Sequence, residues 1–344
     1  MLSESRSRSF KAMEVQAKQG NVEAQFYLGL MYAEKVGLKN NFENAMYWLS
    51  MAAEQGFPPA QFYLGDMYRK GKGVEQDYGK AFEWHTKAAE QGFAQAQFCL
   101  GVMYYDGLGI EQNYKQAFEW YTKAAEQGVV EAQFCLGVMY YDGLVVEQSY
   151  EQAFEWYTKA AEQGFAEAQN NLGCMYYDGD EIEQSYEKAF ELFTKAAEQG
   201  NANAQSNLGV MYDSGEGVEQ NYEKAFELYT KSAGQGNDKA QNNLGAMYDK
   251  GKGIEKNYGK AFELYTKAAE QGNAIAQNSL GVMYSEGVGQ SYQQAFELFT
   301  KSAEQGNFNA QFNLGCMYYH GDGIKQNYKK AAQWFYKALE QTLS

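Results

Sequence analysis

Glycine returns every 36 residues along this chain. Gly20, Gly56, Gly92, Gly128, Gly164, Gly200, Gly236 and Gly272 stand at that interval, Gly306 follows after 34, and Thr342 comes 36 later. A period of this length specifies stacked supersecondary units, because one such unit cannot bury its apolar face alone. The units are 21–56, 57–92, 93–128, 129–164, 165–200, 201–236, 237–272, 273–306 and 307–342. Residues 1–20 precede them, and a tail of 343–344 follows.

Each unit reads as two helices. In the fourth, Ala132, Leu136, Met139 and Tyr140 are spaced by three and four, as one helix face requires. Gly143 breaks that helix, and Ser149 stands where an N-cap belongs; its counterparts are Asp77, Asn113, Ser185, Asn221, Asn257, Ser291 and Asn327. A second helix carries Ala153, Phe154, Trp156, Tyr157, Ala160 and Ala161, and Gly164 ends it as a C′ glycine. The spacing therefore predicts an all-α chain of nine helix-turn-helix repeats. Residues 1–20, with Phe10, Ala12, Met13 and Ala17, read as a lone second-type helix capping one end. At the other end Lys329, Lys330, Gln333 and Lys337 supply a polar cap.

Two further regularities carry packing information. The pairs Glu83–Lys87, Glu119–Lys123, Glu155–Lys159 and their successors place acid before base at i,i+4, marking the solvated side of the second helix. A Leu-Gly pair recurs in every first helix, from Leu28-Gly29 to Leu314-Gly315. A mid-helix glycine costs about 1 kcal/mol relative to alanine, so its recurrence predicts close approach of a neighbouring helix backbone. The aromatics at Trp48, Trp84, Trp120, Trp156 and Trp334 are expected to fill space between layers.

Composition then excludes classes of function. With a formal charge of −15, the chain lacks the basic patches that nucleic acid or an anionic membrane surface requires. No apolar run approaches the roughly 20 residues of a membrane helix. Only 2 prolines among 29 tyrosines and 21 phenylalanines argue against a disordered chain. The opening segment has Arg6 and Arg8 but no apolar core of a secretory signal, which points to the cytosol unless a leader has been removed.

The pattern Ala…Leu-Gly-x-Met-Tyr…Gly-x-Gly-Val…Tyr-x-Lys-Ala-Phe-x-Trp…Ala-Ala-x-x-Gly resembles the Sel1-like repeat, an α/α relative of the tetratricopeptide repeat, over 21–342. The resemblance implies a right-handed superhelical solenoid with the first helices lining its concave face. It also implies a non-enzymatic adaptor or scaffold that binds proteins, with secreted, host-directed effector scaffolds among the alternatives. The chain departs from the pattern at Val145 and Glu181, where a loop glycine is replaced. It departs again before Gln290, where two loop residues are missing, at Lys35-Val36-Gly37, and at Phe42, where other units have Tyr. Some bacterial relatives carry a cysteine pair in each repeat, and this chain does not.

If first helices line a groove, three columns of residues face it. In the N-terminal half these supply Phe62, Phe98, Val102, Tyr105, Phe134, Val138 and Tyr141. In the C-terminal half they supply Asn170, Asn171, Asn207, Asn242, Asn243 and Asn278. Aromatics offer contact area at small entropic cost, and amides pair with both backbone groups of an extended peptide. A peptide- or protein-binding groove is expected, apolar at one end and amide-rich at the other, on a monomer. The Phe column admits a second reading as core between neighbouring first helices.

Chemistry is otherwise sparse. Ser185-Tyr186-Glu187-Lys188 has the Ser-x-x-Lys spacing of penicillin-recognising nucleophiles. A β-lactam- or cell-wall-fragment-binding or hydrolysing protein is therefore the alternative, although Asp77 and Asn221 at the same register mark an N-cap. His85 replaces a recurrent Tyr as a packing variant, and His320 belongs to a loop. Asp178, Asp180, Glu181 and Glu183 read as a solvated loop rather than a calcium site. No cofactor or metal is expected. Cys99 and Cys135 share a register whose helix spacing of about 8–10 Å exceeds what a disulfide spans. Cys174 and Cys316 are farther apart still, so four free thiols are expected, favouring a reducing compartment.

Overall fold

The computed structural model describes residues 2–33, 41–179, 182–287 and 291–343. Among them are nineteen helices and no strand: Leu2–Lys18, then nine pairs running from Val22–Ala33 with Phe42–Glu54 to Phe308–His320 with Tyr328–Leu343. The chain groups into two compact units, Met1–Ala168 and Gln169–Ser344. Within each unit helices pack in chain order. Lys35-Val36-Gly37, Asp180, Glu181 and Gln290 lie outside the described residues.

Local chemistry sets the helix ends. Second helices start behind a side-chain cap: Asn113 Oδ1 accepts from the Gln116 N–H at 3.0 Å, and Asn221 Oδ1 from Lys224 N–H at 2.9 Å. Leu2–Lys18 packs on the first repeat through Ala17, which is buried, and through a Phe10–Tyr32 edge contact at 5.9 Å. First helices end on left-handed glycines such as Gly143, at φ 68°.

The same loop takes a second left-handed residue two positions later, which is Gly73, Gly109, Gly217, Gly253 or Gly323 in other repeats. In the fourth repeat it is Val145, at φ 64°, the one non-glycine residue with positive φ among the described residues. A β-branched side chain is strained there by about 1–2 kcal/mol. Val145→Gly is accordingly expected to stabilise the protein by about 1 kcal/mol, after the greater unfolded-state entropy of glycine is subtracted. A shift of the urea midpoint to higher concentration would register it.

The recurrent Leu-Gly pair has a different cause from the backbone approach expected above. What lies against each glycine is a side chain of the second helix. A Cβ placed on Gly137 would sit 2.5 Å from Tyr157 Cδ1, and one on Gly209 would sit 2.7 Å from the Tyr229 ring. Phe193, Tyr265, Phe299 and Phe335 repeat the contact at Gly173, Gly245, Gly281 and Gly315. A flat ring lies directly on helix backbone, and any side chain would displace it.

The lysines also find partners other than those expected. Lys87, Lys123 and Lys159 hold their ammonium groups 4.1, 4.0 and 3.9 Å from the ring centroids of Trp84, Trp120 and Trp156. Among the described residues they form no ion pair with Glu83, Glu119 or Glu155. A ring face is rigid and weakly hydrated, so it competes well with a solvated carboxylate four residues away; each contact is worth about 0.5–1 kcal/mol.

A glutamine ladder joins successive repeats. The buried Gln133 donates Nε2 to the Ala125 carbonyl at the end of the preceding second helix, at 3.2 Å. Its Oε1 accepts from Gln163 at 2.7 Å, at the end of its own repeat. The unit recurs at Gln61 with Gln91, Gln97 with Gln127, and Gln277 with Gln305. Each glutamine thus satisfies a helix-end carbonyl that packing removes from water, a group that would otherwise cost about 1–3 kcal/mol.

Candidate functional site

In the first unit, the faces of first helices open into a cleft of about 640 Å³. One wall is the helix Pro58–Lys70, another the helix Ala94–Asp106, and the third is Gln127 to Glu131 at the junction of the third and fourth repeats. Phe62 and Phe98 contribute apolar surface, and Asp66, Arg69 and Lys70 contribute charge. Asp66 Oδ1 accepts from Arg69 Nε at 3.1 Å and Nη2 at 2.6 Å, and its Oδ2 accepts from Lys70 Nζ at 2.6 Å. Burial pushes the Asp66 carboxyl up, but the hydrogen bonds from Lys70 and Arg69 outweigh it and hold the group below its ordinary value.

The Phe column is partly structural. Phe62 packs on Phe93 at 5.4 Å and on His85 at 5.5 Å, while Phe134 packs on Phe165 at 5.3 Å. Phe98, Val102 and Tyr105 lean against the core around Ala117, Tyr121 and Leu136. All three phenylalanines, with Val102, Tyr105 and Val138, stay half-buried, and Tyr141 is 37% exposed. Each of these rings therefore packs in part against the protein and remains in part open to a partner.

The amide column requires a correction. Asn170 and Asn242 are buried, so they are not open to a peptide. Asn207 donates to Asn170 Oδ1 at 3.0 Å, Asn170 donates to Asn171 at 3.2 Å, and Asn313 donates to Asn278 Oδ1 at 3.0 Å. Asn242 donates to Asn243 at 3.3 Å, and Asn243 is in turn the polar neighbour of the Tyr229 hydroxyl. Asn171, Asn207, Asn243 and Asn278 remain half-buried. The change from Phe to Asn also tracks the loops. Phe57, Phe93 and Val129 head first helices with no side-chain cap in the first unit. Asn201, Asn237, Asn273 and Asn307 supply that cap in the second. Aromatic on aromatic at the joint gives way to amide and cap, a packing change that composition alone resembles a ligand gradient.

A larger cleft, of about 900 Å³, lies on the last repeat and involves Tyr318, Trp334, Tyr336 and Lys337. There Leu339 is 58% exposed, whereas Ala303, 36 residues earlier, is buried beneath the next repeat. This is the face that the eighth repeat covers with its successor, and it carries exposed Tyr336 and Leu339 beside the expected lysines.

The candidates for catalysis resolve into structural roles. Ser185 Oγ accepts from the Lys188 N–H at 3.4 Å as an N-cap, while the Lys188 ammonium lies 4.7 Å from the Tyr176 ring centroid. His85 is wholly buried against Gly65, and His320 is exposed beside Tyr319. The four cysteines are free, and burial pushes the Cys99, Cys135 and Cys174 thiols up to about 11, protonated and unreactive at neutral pH. Among the described residues no three His, Cys, Asp or Glu side chains converge as metal ligands, and no helix is long and apolar enough to cross a membrane.

The sequence columns that place Phe62 and Phe98 also run through Asp66 and Arg69, but these two, with Lys70 and Glu131, were not among the expected site residues. A signal was available, since Arg69 is the one arginine outside the opening segment.

A family model described as the Sel1 repeat matches nine segments, 22–57, 58–93, 94–129, 130–165, 166–201, 202–237, 238–273, 274–307 and 309–343. The structure is similar to a protective antigen of uropathogenic Escherichia coli strains displaying an SLR fold. The two are 36% identical over 96% of this chain and 79% of that one, with a TM-score of 0.74. It is also similar to a Sel1 repeat protein from Oxalobacter formigenes, 33% identical over 89% of each chain, with a TM-score of 0.62. No curated protein matches the chain.

Proposed function

The chain belongs to the Sel1 repeat family, and from that premise we propose that it is a non-enzymatic scaffold whose first unit holds a segment of another protein in the Phe62–Phe98 cleft. Proteins of this family are generally protein-interaction scaffolds. One observation carries the reading: two half-buried phenylalanines and a charged rim of Asp66, Arg69 and Lys70 line a recess large enough for several side chains. Apolar anchors in a recess with a polar rim are where binding energy concentrates at protein interfaces. Ser185, the candidate nucleophile, is engaged as a helix cap.

The test is quantitative capture. The purified chain, cross-linked to partners in its native cell, is compared with Phe62→Ala/Phe98→Ala. A specific partner should be recovered about tenfold less by the double variant, with an unchanged far-UV spectrum. Equal recovery by both proteins would remove the cleft from the binding surface. Turnover of a chromogenic β-lactam, lost in Ser185→Ala, would replace the scaffold reading with the hydrolytic one.

A further inference from the structure

We infer that the cleft selects an acidic segment, one in which a single Glu or Asp side chain sits beside an apolar one. This rests on the reading of the cleft as a protein-binding site and names the chemistry of its partner.

The second repeat is chemically unlike the others. Where it has Asp66, the remaining repeats have Leu30, Val102, Val138, Cys174, Val210, Ala246, Val282 and Cys316. No other repeat has an arginine or any basic residue at the register of Arg69. Two charged side chains thus enter one helical turn at positions that are otherwise apolar or uncharged, or at most singly acidic, and both line the cleft.

Their geometry leaves one function unspent. Asp66 takes the side-on edge of the Arg69 guanidinium, through Nε and Nη2, and turns its second oxygen to Lys70. The end-on edge, Nη1 with the outer Nη2 hydrogen, has no acceptor among the described residues. The Arg69 side chain is 32% exposed and lines the open cleft. A planar cation clamped along one edge is already oriented, and its other edge matches a second carboxylate in a paired, charge-assisted contact. One carboxylate between two cations leaves one positive charge on that wall, balanced across the cleft by Glu131, in a chain whose net charge is −15. The exposed Glu131 on the far wall repels a run of acids, so a lone acid is favoured over a polyacidic tract. Phe62 and Phe98 supply the apolar seat beside it, and the exposed Gln95 offers its amide to the backbone of the segment.

The experiment is selection of a random dodecapeptide phage library on the intact chain, followed by fluorescence polarisation with the best peptide. The expected consensus holds one Glu or Asp within two positions of a large apolar residue. Replacing that acid by its amide should weaken binding about tenfold, as loss of a charge-assisted pair does. Arg69→Gln should weaken the acidic peptide by the same factor and leave the amide peptide unchanged, and Arg69→Lys should fall between. Thermal melts of each variant establish that the helices persist. Peptides that depend on Phe62 and Phe98 but carry no acid would overturn this inference and leave the scaffold reading intact. Arg69→Gln weakening both peptides equally would also overturn it. A selection yielding no peptide sensitive to Phe62→Ala/Phe98→Ala would overturn both.

Discussion

Replacing Gly137 by alanine is expected to destabilise the protein, although alanine is the better helix former. Helix propensity alone favours the change by about 1 kcal/mol. Against it stands the Tyr157 ring, 2.5 Å from where the new methyl would lie, in a slot with no space for the ring to retreat because Tyr157 is itself buried. Forcing an extra carbon into such packing costs about 1–3 kcal/mol, so a net loss of up to about 2 kcal/mol is expected, and more for valine. The sign should reverse at Gly234, a helical glycine with nothing within 4 Å of its absent side chain, where alanine should gain up to about 1 kcal/mol. It should reverse also when Gly137→Ala is made in a Tyr157→Ala background. Urea midpoints for the two single substitutions and the pair decide the matter. A stabilising Gly137→Ala in the wild-type chain would show that the glycine serves something other than the ring.

That contact illustrates what a sequence of this kind discloses and what it withholds. Period, helix pairing and caps were legible because each is a local property: Asn113 caps Gln116 three residues away, and Gly143 turns its own helix end. The identity of long-range neighbours was not. Leu-Gly announced a close approach, yet only three-dimensional register says that a ring 20 residues on, rather than backbone, fills the gap. The Glu–Lys spacing was similarly local, and nothing in it revealed that Trp84 would outbid Glu83 for Lys87. In the candidate site, Phe62 and Phe98 were found because a helical wheel gives their direction. Asn170 and Asn242 failed because a wheel says nothing of depth, and the residues that cover them come from other turns of the superstructure. The ladder through Gln61, Gln97 and Gln133 went unread for a related reason: a glutamine within an apolar stripe looks like surface until its carbonyl partner, eight residues back across a turn, is located.

His85→Tyr should stabilise the protein and flatten its acid dependence. The slot against the Leu-Gly glycine holds Tyr121 and Tyr157 in the next two repeats, so a tyrosine fits the register. His85 fills it with a smaller ring whose two nitrogens are buried without a hydrogen-bond partner. Burial, with the Arg69 charge adding to it and Asp66 opposing, depresses its pKa from 6.5 to about 4. Between those values the unfolded chain binds a proton that the folded chain refuses, so stability is full above pH 6.5 and declines as pH falls toward 4. The loss amounts to about 2 kcal/mol by pH 5 and about 3 kcal/mol near pH 4. A tyrosine carries no such liability, and its hydroxyl would meet Cys99, as that of Tyr121 meets Cys135. The wild type and His85→Tyr should therefore diverge in urea midpoint as pH is lowered from 8 to 5, the variant being the more stable throughout. Parallel curves over that range would mean that the imidazole protonates as easily inside as outside, and that the second repeat opens to water around it.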